Sequence, residues 1–369
     1  MKLALLGDIA LFGRLSYKNA NDVNSYFEDV AKVLDNMDYI VGNLETPFSI
    51  KKKTFGSKSA YICSDVENVQ VLKLLHINAV CLANNHMFDF GEEGYITTKK
   101  VLTENQIDYF GTEGKEIQIE LGGNKIALSG FCCYTSNPLQ CVGYGGYGVN
   151  AYNLGKAMKV LKRNSNKGYL NIMAVHAGVE HVNYPSLDHI YAARKLADVS
   201  SMVYYGHHPH VVQGIEKRND SLIAYSLGNF CFDDVYSSVS KEPLITLSEN
   251  NRSSCILVIS IEDSKIESYE IIPIYIGKDK LHVGKGSTKD EIAKYSMAIH
   301  QMLPNEYEEM RNTYLNEYYD ARKSKRDILW YLKRLRPRYL GIMLNARKNK
   351  KKYKECVRDY INKNEIVES

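Results

Sequence analysis

The sequence predicts an α/β fold in which two mixed sheets are covered by helices. Short apolar runs alternate with helical patterns through the first 210 residues, and two alternating segments flank Gly122-Gly123 as in a hairpin. Strands that alternate with helices are typical of parallel sheets, whereas hairpins add antiparallel strands. The 369 residues suffice for a substantial core and for two or three units.

The individual elements follow from the spacing of apolar residues. After a first strand at the start of the chain, short apolar runs predict strands near 39–44, 78–83, 107–111, 169–176 and 201–206. Helical spacing predicts helices at 23–36, 64–77, 92–106, 151–164 and 187–199. Antiparallel strands are expected at 115–133, 220–232 and 254–276. Residues 136–150 form a long loop, which either contacts substrate or is a plain surface loop.

Charge divides the chain near residue 320. Residues 321–369 contain 16 basic and 5 acidic residues, a net charge of +11, while the preceding 320 residues carry −7. This basic tail interleaves Trp330, Leu335 and Leu340 with its cations, a pattern that suits an anionic membrane surface. Alternatively, the tail binds an anionic polymer or packs on the body of the protein. Nucleic acid is not expected, because no binding module is visible.

Metal ligands follow five apolar runs, at points where parallel strands should end. The runs LALLGD, YIVGNLE, AVCLANNH, IMAVHAG and MVYYGHHPH each end on a side chain that binds hard or borderline ions. Since ligands bind outside the carboxyl ends of strands in α/β sheets, these side chains should converge. The mixture of carboxylate, amide and imidazole without thiolate suits Mn, Fe, Zn or Mg.

The ordered motifs resemble the CapA family, capsule and poly-γ-glutamate biosynthesis proteins with a calcineurin-like metallophosphoesterase fold. The matching segments are GD at 7–8, GNLE at 42–45, LANNHMFDFG at 82–91, HAGVEH at 176–181, GHHPHVVQ at 206–213 and YSLGNF at 225–230. The resemblance implies a four-layer αββα sandwich over residues 1–275. A helical, basic C-terminal extension would then occupy residues 276–369.

The resemblance also implies roles for individual residues. Asp8 and His210 would bind one divalent ion, Asn85, His176 and His208 would bind a second, and Glu45 would take the bridging position. His86 would be the general acid or base, oriented by Asp89, while Glu180 and Asn229 would belong to the substrate pocket. His207 is excluded from the ligands, because its side chain should point away from His208 and His210.

Two departures from the phosphoesterase pattern bear on the number of ions. Such enzymes usually begin with Asp-x-His, whereas this chain has Asp8-Ile9-Ala10 and lacks one imidazole. Glu45 is also longer than the usual bridging aspartate. One or two ions per chain are therefore expected.

Three functions remain open. The first is a metal-dependent hydrolase or transferase in capsule, exopolysaccharide or polyglutamate metabolism, acting on an anionic envelope polymer or on a phosphorylated or γ-glutamyl substrate. The second is a non-catalytic metal-binding subunit of a capsule assembly system, and the third is a cytosolic small-molecule phosphodiesterase. Asp8 interrupts the first apolar stretch, and no run reaches the roughly 20 apolar residues of a membrane span. The eight cysteines include no C-x-x-C pair, and several lie inside apolar runs, which indicates reduced thiols. A cytoplasmic protein is therefore expected, with peripheral attachment to the inner face of the membrane as an option.

Overall fold

Two mixed sheets pack face to face in the computed structural model, which describes residues 1–51, 53–236, 243–284, 286–323 and 337–361. The hydroxyl of Tyr205, on one sheet, donates to the carbonyl oxygens of Leu6 and Val41 on the other. Helices cover the outer face of each sheet. The predicted four-layer αββα sandwich of two mixed sheets is therefore confirmed.

The larger sheet contains eight strands among the described residues. In spatial order they are β18 (Leu281–Val283), β17 (Lys265–Ile276), β16 (Ser253–Glu262), β1 (Lys2–Ile9), β2 (Tyr39–Leu44), β3 (Ala79–Cys81) and β4 (Asp108–Phe110), with β13 (Asn229–Cys231) beside β1. The first four strands along the chain are parallel, and β16 and β17 form an antiparallel hairpin.

The smaller sheet contains six strands of the described chain. Their spatial order is β11 (Ile215–Arg218), β12 (Ser221–Ala224), β10 (Met202–His207), β9 (Leu170–His176), β6 (Asn124–Cys132) and β5 (Ile117–Leu121). Two further pairs of short strands are β7 (Cys141–Val142) with β8 (Val149–Asn150), and β14 (Val235–Tyr236) with β15 (Pro243–Ile245).

The prediction of antiparallel strands over 220–232 was wrong in part. This segment forms β12, which is antiparallel to β11 but parallel to β10, and β13, which is parallel to β1 in the other sheet. Gly7 permits the second pairing, since a Cβ there would lie 2.2 Å from the carbonyl oxygen of Gly228. The predicted antiparallel strands at 115–133 and 254–276 are present.

The helices match the predicted segments, with shifted ends. They are α1 (Ala20–Leu34), α2 (Val69–Leu74), α3 (Gly91–Glu104), α4 (Leu154–Ser165), α5 (Leu187–Ala197), α6 (Glu249–Arg252), α7 (Thr288–Gln301), α8 (Pro304–Lys323) and α9 (Pro337–Tyr353), which continues as a π-helical turn over Lys354–Arg358. Helices α1 and α3 contact the larger sheet, α4 and α5 contact the smaller one, and α7 contacts β11 of the smaller sheet together with β16 and β17 of the larger one.

The described end of the basic tail packs on the body. Tyr353, Val357 and Ile361 are buried, and Arg358 forms an ion pair of 2.7 Å with Asp188 at the start of α5. Trp330 and Leu335, which contributed to the membrane prediction, lie outside the described residues. None of the described helices combines enough length with enough apolar character to cross a membrane.

Candidate metal centre

Strand register brings the predicted ligands to one edge of the sandwich. In the larger sheet Asp8 lies between Asn43 of β2 and Asn229 of β13. In the smaller sheet His176, the last residue of β9, is paired with His207, the last residue of β10. These residues are almost completely buried, so their polar atoms must bind one another or an ion.

The turn after β10 aims two more imidazoles at this edge. His208 and His210 both have left-handed backbone, with φ of 95° and 57°, on either side of Pro209. Non-glycine residues rarely adopt this conformation, which stores strain and is concentrated at functional sites. The backbone N–H of His208 donates to the Asp8 carboxylate over 3.3 Å, which ties the turn to β1.

Glu45 occupies the middle of the cluster. Its Oε1 lies 3.5 Å from Nε2 of His176, and its Oε2 lies 3.8 Å from Nε2 of His210. Ligand atoms of Asp8, Glu45 and His176 all lie within 4.8 Å of one another. The carboxylate thus faces both predicted ligand groups, which is the arrangement that a bridging residue requires.

The second predicted ligand group also converges. Asn85 lies in the turn after β3, and its Oδ1 is 3.0 Å from Nε2 of His176. The rings of His176 and His208 are 4.8 Å apart. Three side chains from three separate segments therefore meet here, as predicted, although their binding of an ion stays a prediction.

His207 corrects the sequence interpretation. Its Nδ1 lies 3.0 Å from Oδ1 of Asp8, so the ring faces the cluster. The expected alternation ends at His208, where the backbone turns left-handed, and His207 shares the face of β10 with Tyr205, which points at the larger sheet. Asn43 was also missed, although it lies two residues before Glu45 and its amide donates to Asp8 over 2.8 Å.

The electrostatic environment favours the protonation states of Asp8 and His176 that can bind a metal ion. Burial raises the pKa of Asp8, but hydrogen bonds and charge from His207 and His210 outweigh this effect and hold the pKa well below its usual value. Burial and the neighbouring His208 hold the pKa of His176 well below normal. The carboxylate is thus ionised and the imidazole neutral, the forms that bind metal ions.

The pKa values of Glu45 and His210 are both raised, whereas those of Asp8 and His176 are lowered. Burial and the nearby Asp8 raise the pKa of Glu45 well above normal. Burial lowers the pKa of His210, but Glu45 and Asp8 outweigh it and raise the pKa to about 10. Without an ion, protons compensate the clustered charges, so metal binding at this cluster would release protons.

Several buried atoms of the cluster lack hydrogen-bond partners among the described residues, namely both carboxylate oxygens of Glu45, Nε2 of His207 and Nδ1 of His208. Unpaired buried polar atoms are costly, and each of these atoms is a good metal donor. The residues present therefore fit a divalent ion.

A buried triad lies beside the ligands. Nδ1 of His86 is 2.7 Å from Oδ2 of Asp89, in the orientation that the sequence predicts. Nζ of Lys58 lies 2.6 Å from Oδ1 of Asp89, 2.6 Å from the carbonyl oxygen of Asn85 and 3.2 Å from the His86 ring. Sequence reasoning missed Lys58, because it lies in a polar stretch without periodicity.

The two predicted pocket residues differ in position. Glu180 lines a cavity together with His208. Asn229 is completely buried, and its Oδ1 lies 2.9 Å from Nδ1 of His210. Asn229 thus holds a predicted ligand, while its contact with substrate stays a prediction.

Fold and site define an α/β sandwich protein with a buried Asp/Glu/His cluster at its strand ends. The family model described as "Bacterial capsule synthesis protein PGA_cap" matches residues 2–234, and the chain belongs to this family. This confirms the resemblance that the motifs carry.

Curated relatives agree with this assignment. The chain is 28% identical over 305 residues to the capsule biosynthesis protein CapA of Bacillus anthracis, covering 79% of this chain and 73% of the relative. It is 26% identical over 301 residues to the PGA biosynthesis protein CapA of Bacillus subtilis, covering 76% and 75%. A solved hypothetical protein from Thermus thermophilus is similar with a TM-score of 0.45 and 13% identity, covering 74% of this chain and 98% of that one.

Proposed function

We propose that this chain is a metal-dependent hydrolase or transferase of capsule, exopolysaccharide or polyglutamate metabolism. The supporting observation is the Glu45 carboxylate, whose two buried oxygens lack hydrogen-bond donors among the described residues and face His176 and His210. The family membership supports the setting, since the relatives are named for capsule and PGA biosynthesis. The substrate would be an anionic envelope polymer or a phosphorylated or γ-glutamyl compound.

One group of residues would hold the divalent ions, and another would transfer protons. Asp8, Glu45, Asn85, His176, His208 and His210 would hold one or two divalent ions, with Asp8 kept in place by Asn43 and His207. A bound divalent ion would supply Lewis acidity toward a phosphoryl or acyl oxygen and would stabilise negative charge.

His86 suits the role of general acid or base. Only 9% of the residue is exposed, and its Nδ1 faces Asp89, which leaves Nε2 to accept or donate the proton. The hydrogen bond to Asp89 assigns the proton of the neutral ring to Nδ1. Asp89, bonded in turn by Lys58 and by the N–H of Ile62, fixes the plane of the ring.

Metal content after loading with Mn, Fe, Zn or Mg tests the holding role. Glu45→Gln should lower the affinity for the ion at least about tenfold, because the bridging charge is lost. Glu113→Gln is the matched control, since Glu113 forms a partly exposed ion pair with Lys99 and is not one of the predicted ligands. Absence of metal from the loaded wild-type protein would contradict the proposal.

A screen of phosphodiesters and γ-glutamyl peptides tests the chemistry. His86→Ala should keep the metal and lose about 10²–10⁴-fold in rate, whereas His208→Ala should lose the metal as well. Equal metal loss in both variants would make His86 a ligand. Stable metal binding without turnover of any substrate would favour the non-catalytic assembly subunit instead.

We also propose that helix α9 attaches the chain to an anionic membrane. Leu340, Met343 and Leu344 are 59%, 55% and 55% exposed, respectively, and follow helical spacing. The exposed cations Arg347, Lys348 and Lys351 extend the same face. An apolar stripe that continues into cations is typical of interfacial helices.

A further inference from the structure

A cavity of about 270 Å³ opens beside the metal centre. One wall is formed by Glu180 and His208, a second by residues 135–137, and a third by Tyr318 and Tyr319 of α8. His208 belongs both to this wall and to the cluster, so a molecule in the cavity would lie next to the reacting group. We call Glu180, residues 135–137, Tyr318 and Tyr319 the tyrosine subsite.

Helix α8 is anchored so that it presents these tyrosines. The Tyr307 hydroxyl donates to the carbonyl of Pro185 over 2.8 Å, Arg311 donates to the carbonyl of Tyr184 over 2.9 Å, and Tyr314 donates to Oδ1 of Asn183 over 2.9 Å. The helix therefore lies along the segment that follows Glu180, and one more turn brings it to the cavity.

The spacing of the anchors continues to Tyr318. Positions 307, 311, 314 and 318 follow steps of four, three and four residues, so they lie on one helix face. The Tyr318 ring is 6.0 Å from the His181 ring, which is 6.4 Å from the His210 ring. Because the family model ends at residue 234, α8 adds a wall that the matched segment lacks.

The chemistry of the subsite fits a neutral polyhydroxylated ring. Two tyrosine rings, tilted by 56° and 5.5 Å apart, offer faces of partial negative charge to the C–H groups of a sugar. The Thr135 hydroxyl and the Glu180 carboxylate can bind sugar hydroxyls. Drug-sized ligands occupy roughly 300–1,000 Å³, so the volume suits one ring.

We propose that the tyrosine subsite binds a neutral sugar ring attached to the group that reacts at the metal centre. This deepens the proposed function and rests on it. The Glu180 carboxylate disfavours an acidic γ-glutamyl chain at the same place. The tilt of the two rings disfavours a flat nucleobase held between them.

Ligand binding to the full-length, manganese-loaded protein tests this proposal. The probes are inorganic phosphate, N-acetylglucosamine 1-phosphate, adenosine monophosphate and γ-glutamylglutamate. The sugar phosphate should bind at least about tenfold more tightly than phosphate. Tyr319→Ala should remove this difference and leave phosphate binding unchanged, while Tyr319→Phe, which keeps the ring, should retain it.

The controls separate the subsite from the metal centre. Tyr319 is 42% exposed, so its truncation should not unfold the chain, and Tyr169→Ala, at the amino end of β9, should change nothing. Equal affinity for phosphate and the sugar phosphate, or tighter Tyr319-dependent binding of the nucleotide or dipeptide, would overturn the proposal. If manganese does not bind, the proposed function fails. The subsite is then tested alone by NMR saturation transfer from the protein to methyl N-acetylglucosaminide, which should occur in wild type and be lost in Tyr319→Ala.

Discussion

At the scale of single residues, the least predictable feature is the Lys58 ammonium. It is 4% exposed, and its ion pair with Asp89 is almost completely buried. Burial raises the pKa of Asp89, but the charges and hydrogen bonds of Lys58 and His86 lower it to below its usual value. Lys58 thus keeps Asp89 ionised, and Asp89 in turn positions His86.

We expect Lys58→Met to lower the free energy of unfolding by about 3–5 kcal/mol, because it leaves the Asp89 charge buried without its cation. Urea denaturation of the metal-free protein measures this loss. The double variant Lys58→Met/Asp89→Asn should recover part of it, whereas Lys32→Met, at a surface pair with Glu28, should have little effect. Simple additivity of the two buried substitutions would show that the pair is not coupled.

Other residues of the site were predictable because they end apolar runs. Asp8, Glu45 and His176 each close a strand whose pattern is visible in the sequence, and strand ends converge in this fold class. His207 was misjudged, because the backbone reversal at His208 depends on a turn that periodicity does not encode. Lys58 and Tyr319 come from a loop and a distant helix, so only the tertiary structure shows where they lie.

At the scale of elements, helical spacing and apolar runs predicted where the helices and strands lie. They predicted less well which strands pair with each other and in which direction. The segment 220–232 divides between two sheets, because Gly7 lets β13 approach β1 closely. Such a contact joins positions far apart in the chain and leaves no local signal. The tail shows the same limit, since its composition suggested a membrane surface but not the burial of Tyr353.

Contact between α5 and α9 makes stability depend on pH through His189. This ring lies on α5, 6.0 Å from the ring of Tyr353, and it is 6% exposed. Burial, with a smaller effect of Arg311, lowers its pKa to about 4. The unfolded chain, with a histidine pKa of about 6.5, binds the proton more tightly, so acidification favours unfolding.

The contribution of His189 should therefore be complete above about pH 6.5 and be lost as the pH falls toward 4. At about 1.4 kcal/mol per pH unit, the loss should reach about 2 kcal/mol at pH 5. We expect the unfolding free energy of wild type, measured with urea and a chelator at pH 7.5 and 5, to fall by this much more than that of His189→Gln. Because the histidines of the candidate metal centre are common to both proteins, equal falls would show that His189 does not titrate in this range.

At the scale of the whole molecule, the two faces of α9 have different environments. Asn349 and Tyr353 pack inward, and Asn349 donates to Oδ1 of Asn137, a residue of the tyrosine subsite, over 2.8 Å. The opposite face carries the exposed Leu340, Met343 and Leu344. The inward face thus contacts the tyrosine subsite, and a membrane attached to the outward face would lie on the other side of α9 from this contact.

Surface substitutions test this attachment better than truncation, because deletion of α9 would expose the buried Tyr353 and Val357. Lys348→Glu/Lys351→Glu should weaken sedimentation with phosphatidylserine vesicles by at least about 2 kcal/mol, roughly 30-fold, because each lost basic residue contributes about 1 kcal/mol and the new carboxylates repel the anionic surface. Met343→Glu/Leu344→Glu should weaken it as well. Lys217→Glu/Lys265→Glu, which makes the same change of net charge at exposed sites away from α9, should bind like wild type.

Salt distinguishes the two parts of the interaction. The Debye length falls from about 10 Å at 0.1 M to about 3 Å at 1 M, so binding through the cations should weaken while the contribution of Met343 and Leu344 persists. The lysine variant should therefore approach wild type at high salt, and the apolar variant should not. Equal sedimentation of all three double variants at low salt would show that α9 serves only to pack against the body.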